Sequence, residues 1–308
     1  MHPAYSVIIF TTLSGAGYGL LGLLGLVAFN HGQASSPLFA VVTLGFALVL
    51  ITIGLLSSTL HLGHPERAWR ALSQWRSSWL SREGVAAVAT YPAALVFGAT
   101  WSGVFAAPAL VKPMGLVVLV LCAITVFCTA MIYRCLRTIR QWNHKLVVPV
   151  YLAFALATGA TLLPAIAVWF DRWQIFQAIL AAVSVGVVAA LKFMYWRSID
   201  NIPRTHTTGE ATGLGEHVRM WELPHTNQNY IQKEMGFVVA RKHALTLRRL
   251  TFVLLGVAIA ATLISVFLTP YIAPLAALAC VCAALVERWL FFAEAEHVVN
   301  LYYGRAAV

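Results

Sequence analysis

Long apolar runs separated by short polar breaks set the pattern of this chain. Eight stand out, roughly residues 5 to 29, 37 to 60, 84 to 107, 114 to 136, 147 to 169, 175 to 196, 250 to 269 and 275 to 301. Each is long enough to cross a hydrocarbon core of about 30 Å as a helix, and a helix satisfies its own backbone hydrogen bonds where lipid offers none. The pattern predicts an all-α polytopic membrane protein, a bundle of eight transmembrane helices forming one domain over residues 1–308. Residues 197–249 are its single sizeable extramembrane connector.

Composition agrees with this. A chain that is 60% hydrophobic and 10% charged, with a mean hydropathy of +0.79, has too little polar surface for a water-soluble globule. The first run has no Lys or Arg before it, is too long for a signal-peptide core and lacks a small-residue cleavage site, so it reads as a span. Cys122, Cys128, Cys135, Cys280 and Cys282 fall in or at the end of two apolar runs without metal spacing, and read as buried packing thiols; no metal site is expected.

Charge orients the bundle. Seventeen of the 21 Lys and Arg lie in the connectors 61–83, 134–146 and 197–249 or in the C-terminal tail, against Lys112 and Arg172 on the other face; Lys192 and Arg288 lie inside spans. Basic residues in short loops stay inside, so this face and both termini are predicted to be cytoplasmic in a bacterial inner membrane. The net charge of +10 belongs to that topology and to contact with anionic lipid or an acidic partner, with no role for nucleic acid.

Within 197–249, the first part is rich in Gly, Thr, Pro and His and predicts irregular structure, while IQKEMGFVVARKHALTLRRL predicts an amphipathic helix leading into the seventh span. That helix suits either the membrane surface or, our preferred reading, a docked cytoplasmic protein partner. Arg70, Arg76, Arg137, Arg140, Arg241 and Lys242 are the candidate docking residues. In the first span, Gly15, Gly19, Gly22 and Gly25 predict one broad face for close helix packing.

The connector HLGHPERAWRALSQWRSSWLSRE, 61–83, carries the candidate chemistry. Gly63 suits the end of the second span, Pro65 and Glu66 the first turn of a short helix. Trp69, Leu72 and Trp75 recur on one side of that helix, as expected of a lid resting in the membrane interface. Ser81 is expected to cap the third span and to place Glu83 in its first turn. A His and a carboxyl group at the mouths of two spans can hydrogen-bond the two carbonyl oxygens of a quinone and supply protons on its reduction. His61, Glu83, Arg67, Trp69 and Trp79 are the candidate quinone-binding residues. Interfacial anchoring by Trp and Arg, with His61 only ending a helix, is the competing reading. The eighth run adds Glu287, Arg288, Glu294, Glu296 and His297. Ionisable groups at membrane depth mark functional paths, and the spacing of Glu287, Glu294 and His297 on one helix predicts a proton relay on a shared face.

These residues resemble the membrane-anchor subunits of DMSO-reductase-like molybdoenzymes, the DmsC type. The likeness rests on His61, Leu62, Gly63, Pro65, Arg67 and Ala68 after the second span, and on Ser78, Leu80, Ser81 and Glu83 opening the third. It implies an anchor, itself not catalytic toward the substrate, in which His61 and Glu83 contact quinone. It further implies an iron-sulfur subunit and a molybdenum catalytic subunit as partners, which hold those cofactors, with ubiquinone or menaquinone in this chain. The basic face and the long 197–249 connector are similar to the branch that anchors cytoplasm-facing, quinone-reducing sulfite dehydrogenases (the SoeC type). The alternative within the family is a reductase that oxidises menaquinol. A haem b cytochrome would need paired axial His, for which only His61 and His297 qualify, so no haem is expected. A permease is disfavoured by the sparse polarity near the midplane.

Overall fold

The computed structural model describes residues 5–34, 36–60, 62–202, 206–215, 218, 221–222, 227 and 243–303. Eight helices long and apolar enough to cross a membrane run through it: α1 Tyr5–His31, α2 Pro37–Thr59, α3 Trp79–Trp101, α4 Pro108–Arg134, α5 Val147–Phe170, α6 Ile175–Asp200, α7 Ala244–Phe267 and α8 Pro270–Ala293. The protein is an all-α, multi-pass membrane protein.

Local chemistry fixes the ends. Ser36 Oγ accepts a hydrogen bond from Phe39 N at 3.4 Å, and Pro37 stands at the first position of α2, where its missing N–H is no loss. Gln174 and Gln177 cap α6 reciprocally. Several ends differ from those expected. α3 starts at Trp79 and stops at Trp101, because Gly103 takes a positive φ of 80° just beyond it. α7 starts at Ala244, since Arg248 and Arg249 ride inside its first turns rather than before them. α8 stops at Ala293, and Val298–Tyr303 forms a separate 3₁₀ segment. The residues 231–242 of the expected amphipathic helix lie outside the described residues.

The spans pack as two groups, α1–α4 and α5–α8, joined where α1 meets α5 and α8 and where α4 meets α5. Helices in lipid gain no hydrophobic drive from meeting each other, so close approach through small residues does the work. The α1 glycines serve several neighbours rather than one face. A Cβ on Gly17 would stand 2.7 Å from Ala47 O of α2, one on Gly19 would overlap Ala155 O of α5, and one on Gly25 would overlap Gly115 O of α4. Gly15 has open space around it. Gly19→Ala should therefore cut the yield of monodisperse detergent-extracted protein more than twofold, since overpacking against backbone costs about 1–3 kcal/mol or more, whereas Gly15→Ala should leave it unchanged. Fluorescence-detected size-exclusion chromatography reads both.

One feature of α1 gave no signal in the sequence. Phe10–Ser14 winds as a π-type turn, with Ser14 Oγ donating to Phe10 O at 2.6 Å, and Gly54 of α2 closes on it so tightly that a Cβ there would lie 2.7 Å from Ser14 N. The thiols Cys122, Cys128 and Cys280 are buried as expected and Cys282 is half-buried, but Cys135 is exposed because it lies one residue beyond α4.

Candidate functional site

The connector after α2 folds as expected into a short helix, of 3₁₀ type, over Pro65–Gln74. No residue of it is buried, so it lies across the ends of the spans. Three contacts hold it there. Ser81 Oγ donates to Ala71 O. Arg82 donates to Trp75 O at 3.0 Å and Arg76 O at 2.7 Å. Leu72 seats on Gly84, where a Cβ would meet it at 2.7 Å. Ser81 thus ties the connector down and does not cap α3, whose helix already begins at Trp79; Glu83 sits correspondingly deeper, 4% exposed.

Beneath the connector opens a cavity of about 600 Å³ between α1, α2, α3 and α4. Its apolar wall includes Val7, Phe10, Leu55, Leu72, Leu80 and Ile132, and its polar groups include Glu83, Arg67, His64 and Tyr133. The size and the mix of many apolar groups with a few polar ones are those of a small-molecule site. Glu83 accepts a hydrogen bond from Thr129 Oγ1 of α4, which fixes the carboxyl group against the wall. At the rim, His64 Nδ1 lies 3.0 Å from Glu66 Oε1, and Arg67 Nε lies 3.6 Å from the same oxygen.

Of the candidate quinone-binding residues, Glu83 and Arg67 line this cavity, and His61 lies outside the described residues. Trp69 and Trp79 do not line it. Trp69 is 68% exposed beside Arg70, and Trp79 packs edge-on against Phe127 with the Arg82 guanidinium 4.3 Å above its ring. They fit the membrane interface better than a ring pocket. His64 also lines the cavity. Thr129 and Tyr133 went unnoticed because nothing in an apolar run distinguishes a hydroxyl facing a cavity from one bonding its own helix.

Of the residues expected to form a relay along α8, Glu287 lies within the helix and Glu294 caps its C-terminus, its N–H still bonded to Leu290 O, while His297 lies beyond the end at Ala293. Glu287 is fully buried, with Lys192 Nζ of α6 at 2.7 Å and Arg288 Nη1 at 3.4 Å. The Arg288 guanidinium lies 3.5 Å above the Tyr151 ring, and Lys192 Nζ is 4.1 Å from the Tyr195 ring centroid. Each cation thus gains an aromatic face as well as a carboxylate. Glu294 instead accepts from Arg248 Nε at 2.7 Å, and Arg248 also holds Asp200 in a bidentate pair. Burial pushes the Glu294 carboxyl above the ordinary carboxylate range, and Arg248 opposes this. His297 rests edge-on against Trp142 at 5.5 Å.

The basic connectors divide similarly. Arg70, Arg76 and Arg137 are exposed, while Arg241 and Lys242 lie outside the described residues. Arg140 is not a free docking charge: it is 17% exposed and bonds Glu296 at 3.1 Å and Ile202 O at 3.4 Å, tying the segment after α8 to the α4–α5 connector. His144 in that connector accepts from Leu146 N at 3.2 Å and reaches Ser198 Oγ at 2.9 Å; burial, aided by Lys145 and Arg134, pushes its pKa down and keeps the ring neutral.

The likeness to known proteins runs the length of this bundle. One of the subunits of the sulfite dehydrogenase of Allochromatium vinosum is 34% identical over 330 residues, an alignment spanning all of both chains. The family model of the DMSO reductase anchor subunit (DmsC) matches residues 1–304. On both findings, this chain belongs to the DMSO reductase anchor subunit (DmsC) family.

Proposed function

We propose that this chain is the membrane anchor and quinone-binding subunit of a three-subunit molybdoenzyme that oxidises sulfite and reduces membrane quinone. The observation that carries the reading is a buried carboxyl group, Glu83, in the wall of a 600 Å³ cavity under the connector that bears the family's residues. The likeness to a sulfite dehydrogenase supports sulfite over other substrates. Oxidation of sulfite in the molybdenum subunit releases two electrons, the iron-sulfur subunit passes them on, and quinone takes them up with two protons.

This chain's part is to bind, orient and supply protons. Glu83, held by Thr129, faces one carbonyl oxygen of the quinone ring, and His61 is the partner of the other. Arg67 and His64 close the polar rim, and the apolar wall receives the ring and the start of the tail. Arg70, Arg76, Arg137, Arg241 and Lys242 dock the iron-sulfur subunit on the cytoplasmic face of the inner membrane. Glu287, Glu294 and His297 are the proton-relay residues of this reading.

Photolabelling the assembled complex with an azidoquinone tests the site. The label should fall on residues 62–84 and 132–133, and excess unmodified quinone should suppress it. Label spread over the lipid-facing sides of the spans, or unmoved by competitor, would overturn the assignment.

A further inference from the structure

A second, smaller cavity lies deeper, between α1, α4, α5 and α8, on the far side of Thr129 from the quinone cavity. Its volume is about 20 Å³, room for water and for little else. Among the described residues, four polar atoms lining it make no hydrogen bond of good geometry: Thr12 Oγ1, Tyr18 OH, Tyr151 OH, which has the Arg288 guanidinium near it, and Arg288 Nη1. Their residues are no more than 3% exposed. Arg288 Nη1 does lie 3.4 Å from Glu287 Oε2, an ion-pair contact without hydrogen-bond geometry. Buried donors and acceptors are rarely left unmade, and a polar cavity of this size with several such groups is where structures place bridging water.

The position matters as much as the polarity. The π-type turn of α1 presents Phe10 to the larger cavity and Thr11, Thr12 and Ser14 to the smaller one. Thr129 lines the smaller cavity while its hydroxyl donates to Glu83 in the larger. Arg288 lines the same cavity and pairs with Glu287, which in turn holds Lys192. A hydroxyl between a carboxyl group and a hydrated space can accept a proton on one side and release one on the other.

We propose that this cavity holds ordered water that reprotonates Glu83 through Thr129, joining the quinone site to the Lys192–Glu287–Arg288 cluster. When Glu83 gives its proton to a reduced quinone oxygen, the Thr129 hydroxyl proton moves to Glu83 and a water proton replaces it. Lys192 Nζ supplies the missing proton through Glu287, 2.7 Å away, and is itself reprotonated from bulk water before the next turnover. Tyr18 and Tyr151 position the water; Thr129 transmits the proton. The inference rests on quinone reduction at Glu83.

The test uses the whole complex in lipid nanodiscs with Thr129→Val, Thr129→Ser, Tyr151→Phe and Glu83→Gln. Thr129→Val and Tyr151→Phe should slow quinone reduction by about tenfold or more. They should also raise its solvent deuterium isotope effect and leave dye-linked substrate oxidation unchanged, and Tyr151→Phe, which does not touch Glu83, should leave the KM for quinone unchanged as well. Thr129→Ser should restore the rate. If Glu83→Gln loses quinone reduction while Thr129→Val and Tyr151→Phe keep the wild-type rate and isotope effect, the water path is wrong and the quinone site stands. If Glu83→Gln keeps the wild-type rate, the quinone reading falls and this inference with it. Should the Thr129 or Tyr151 variants not assemble, a high-resolution structure of the wild-type complex decides. Solvent density bonded to Tyr151 OH and Arg288 Nη1 supports the path, and a dry cavity overturns it.

Discussion

Glu83→Gln should reduce quinone-coupled turnover of the assembled complex by about a hundredfold or more, the lower range for loss of a general acid, while oxidation of substrate with a soluble dye continues at the wild-type rate. The change is nearly isosteric. The amide oxygen can still accept from Thr129 Oγ1, so the side chain keeps its place in the cavity wall, and only the exchangeable proton is lost. Glu83→Asp separates position from chemistry. It retains a titratable group but draws it back by one methylene, out of reach of Thr129, and should recover part of the rate. Dye-linked activity serves as the control because it draws electrons before they reach this chain. A parallel loss of both activities would show a failure of assembly, and a Gln variant that reduces quinone normally would remove Glu83 from the proton-supplying role. The His61→Ala variant should behave alike, with quinone reduction lost and dye-linked oxidation kept.

The eight spans and the connector helix were legible in the sequence because they follow from local rules: apolar length, Pro65 at a helix start, and basic residues gathered at one face. The ends were less so. α3 and α7 extend over Arg82, Arg248 and Arg249, which hydropathy counts as breaks but which a helix accommodates at the membrane surface by sending the long side chain out to a carbonyl or a carboxylate. The α8 residues misled in the opposite sense. Counting helical spacing past Ala293 holds for Glu294, which caps the helix, but not for His297, which lies beyond its end, and each takes its own partner. The Lys192–Glu287 contact joins positions 95 residues apart, and Thr129 meets Glu83 across 46. Such pairs are set by how the helices assemble, which periodicity within one helix does not report. Glu83 could be singled out because a lone acid opening an apolar run is conspicuous. Thr129, one of many hydroxyls in α4 and its neighbours, is not.

Removing Glu287 should be the most damaging single change for stability. Glu287→Leu leaves Lys192 and Arg288, 1% and 2% exposed at their side chains, as two like charges without their shared carboxylate, and the loss of one member of a buried pair costs about 3–5 kcal/mol. The aromatic faces of Tyr151, Tyr195 and Trp196 offset a part of this but cannot replace a carboxylate 2.7 Å from Lys192 Nζ. Lys192→Met should be milder, because Glu287 keeps Arg288 beside it and Met fills much of the vacated volume. The double variant Glu287→Leu with Lys192→Met leaves only Arg288, still stacked on Tyr151, so it should be more stable than Glu287→Leu alone, by a coupling of about 0.5–3 kcal/mol. Thermal unfolding of the purified complex in one detergent ranks the variants: wild type highest, Lys192→Met next, the double variant third and Glu287→Leu lowest. A double variant less stable than Glu287→Leu would mean that Lys192 stabilises the bundle through its stem and its aromatic neighbours rather than through its charge. The pair would then matter less for holding α6 to α8 than for what its charges do beside the hydrated cavity, and the two roles separate because only the second predicts loss of quinone reduction in a variant that remains fully folded.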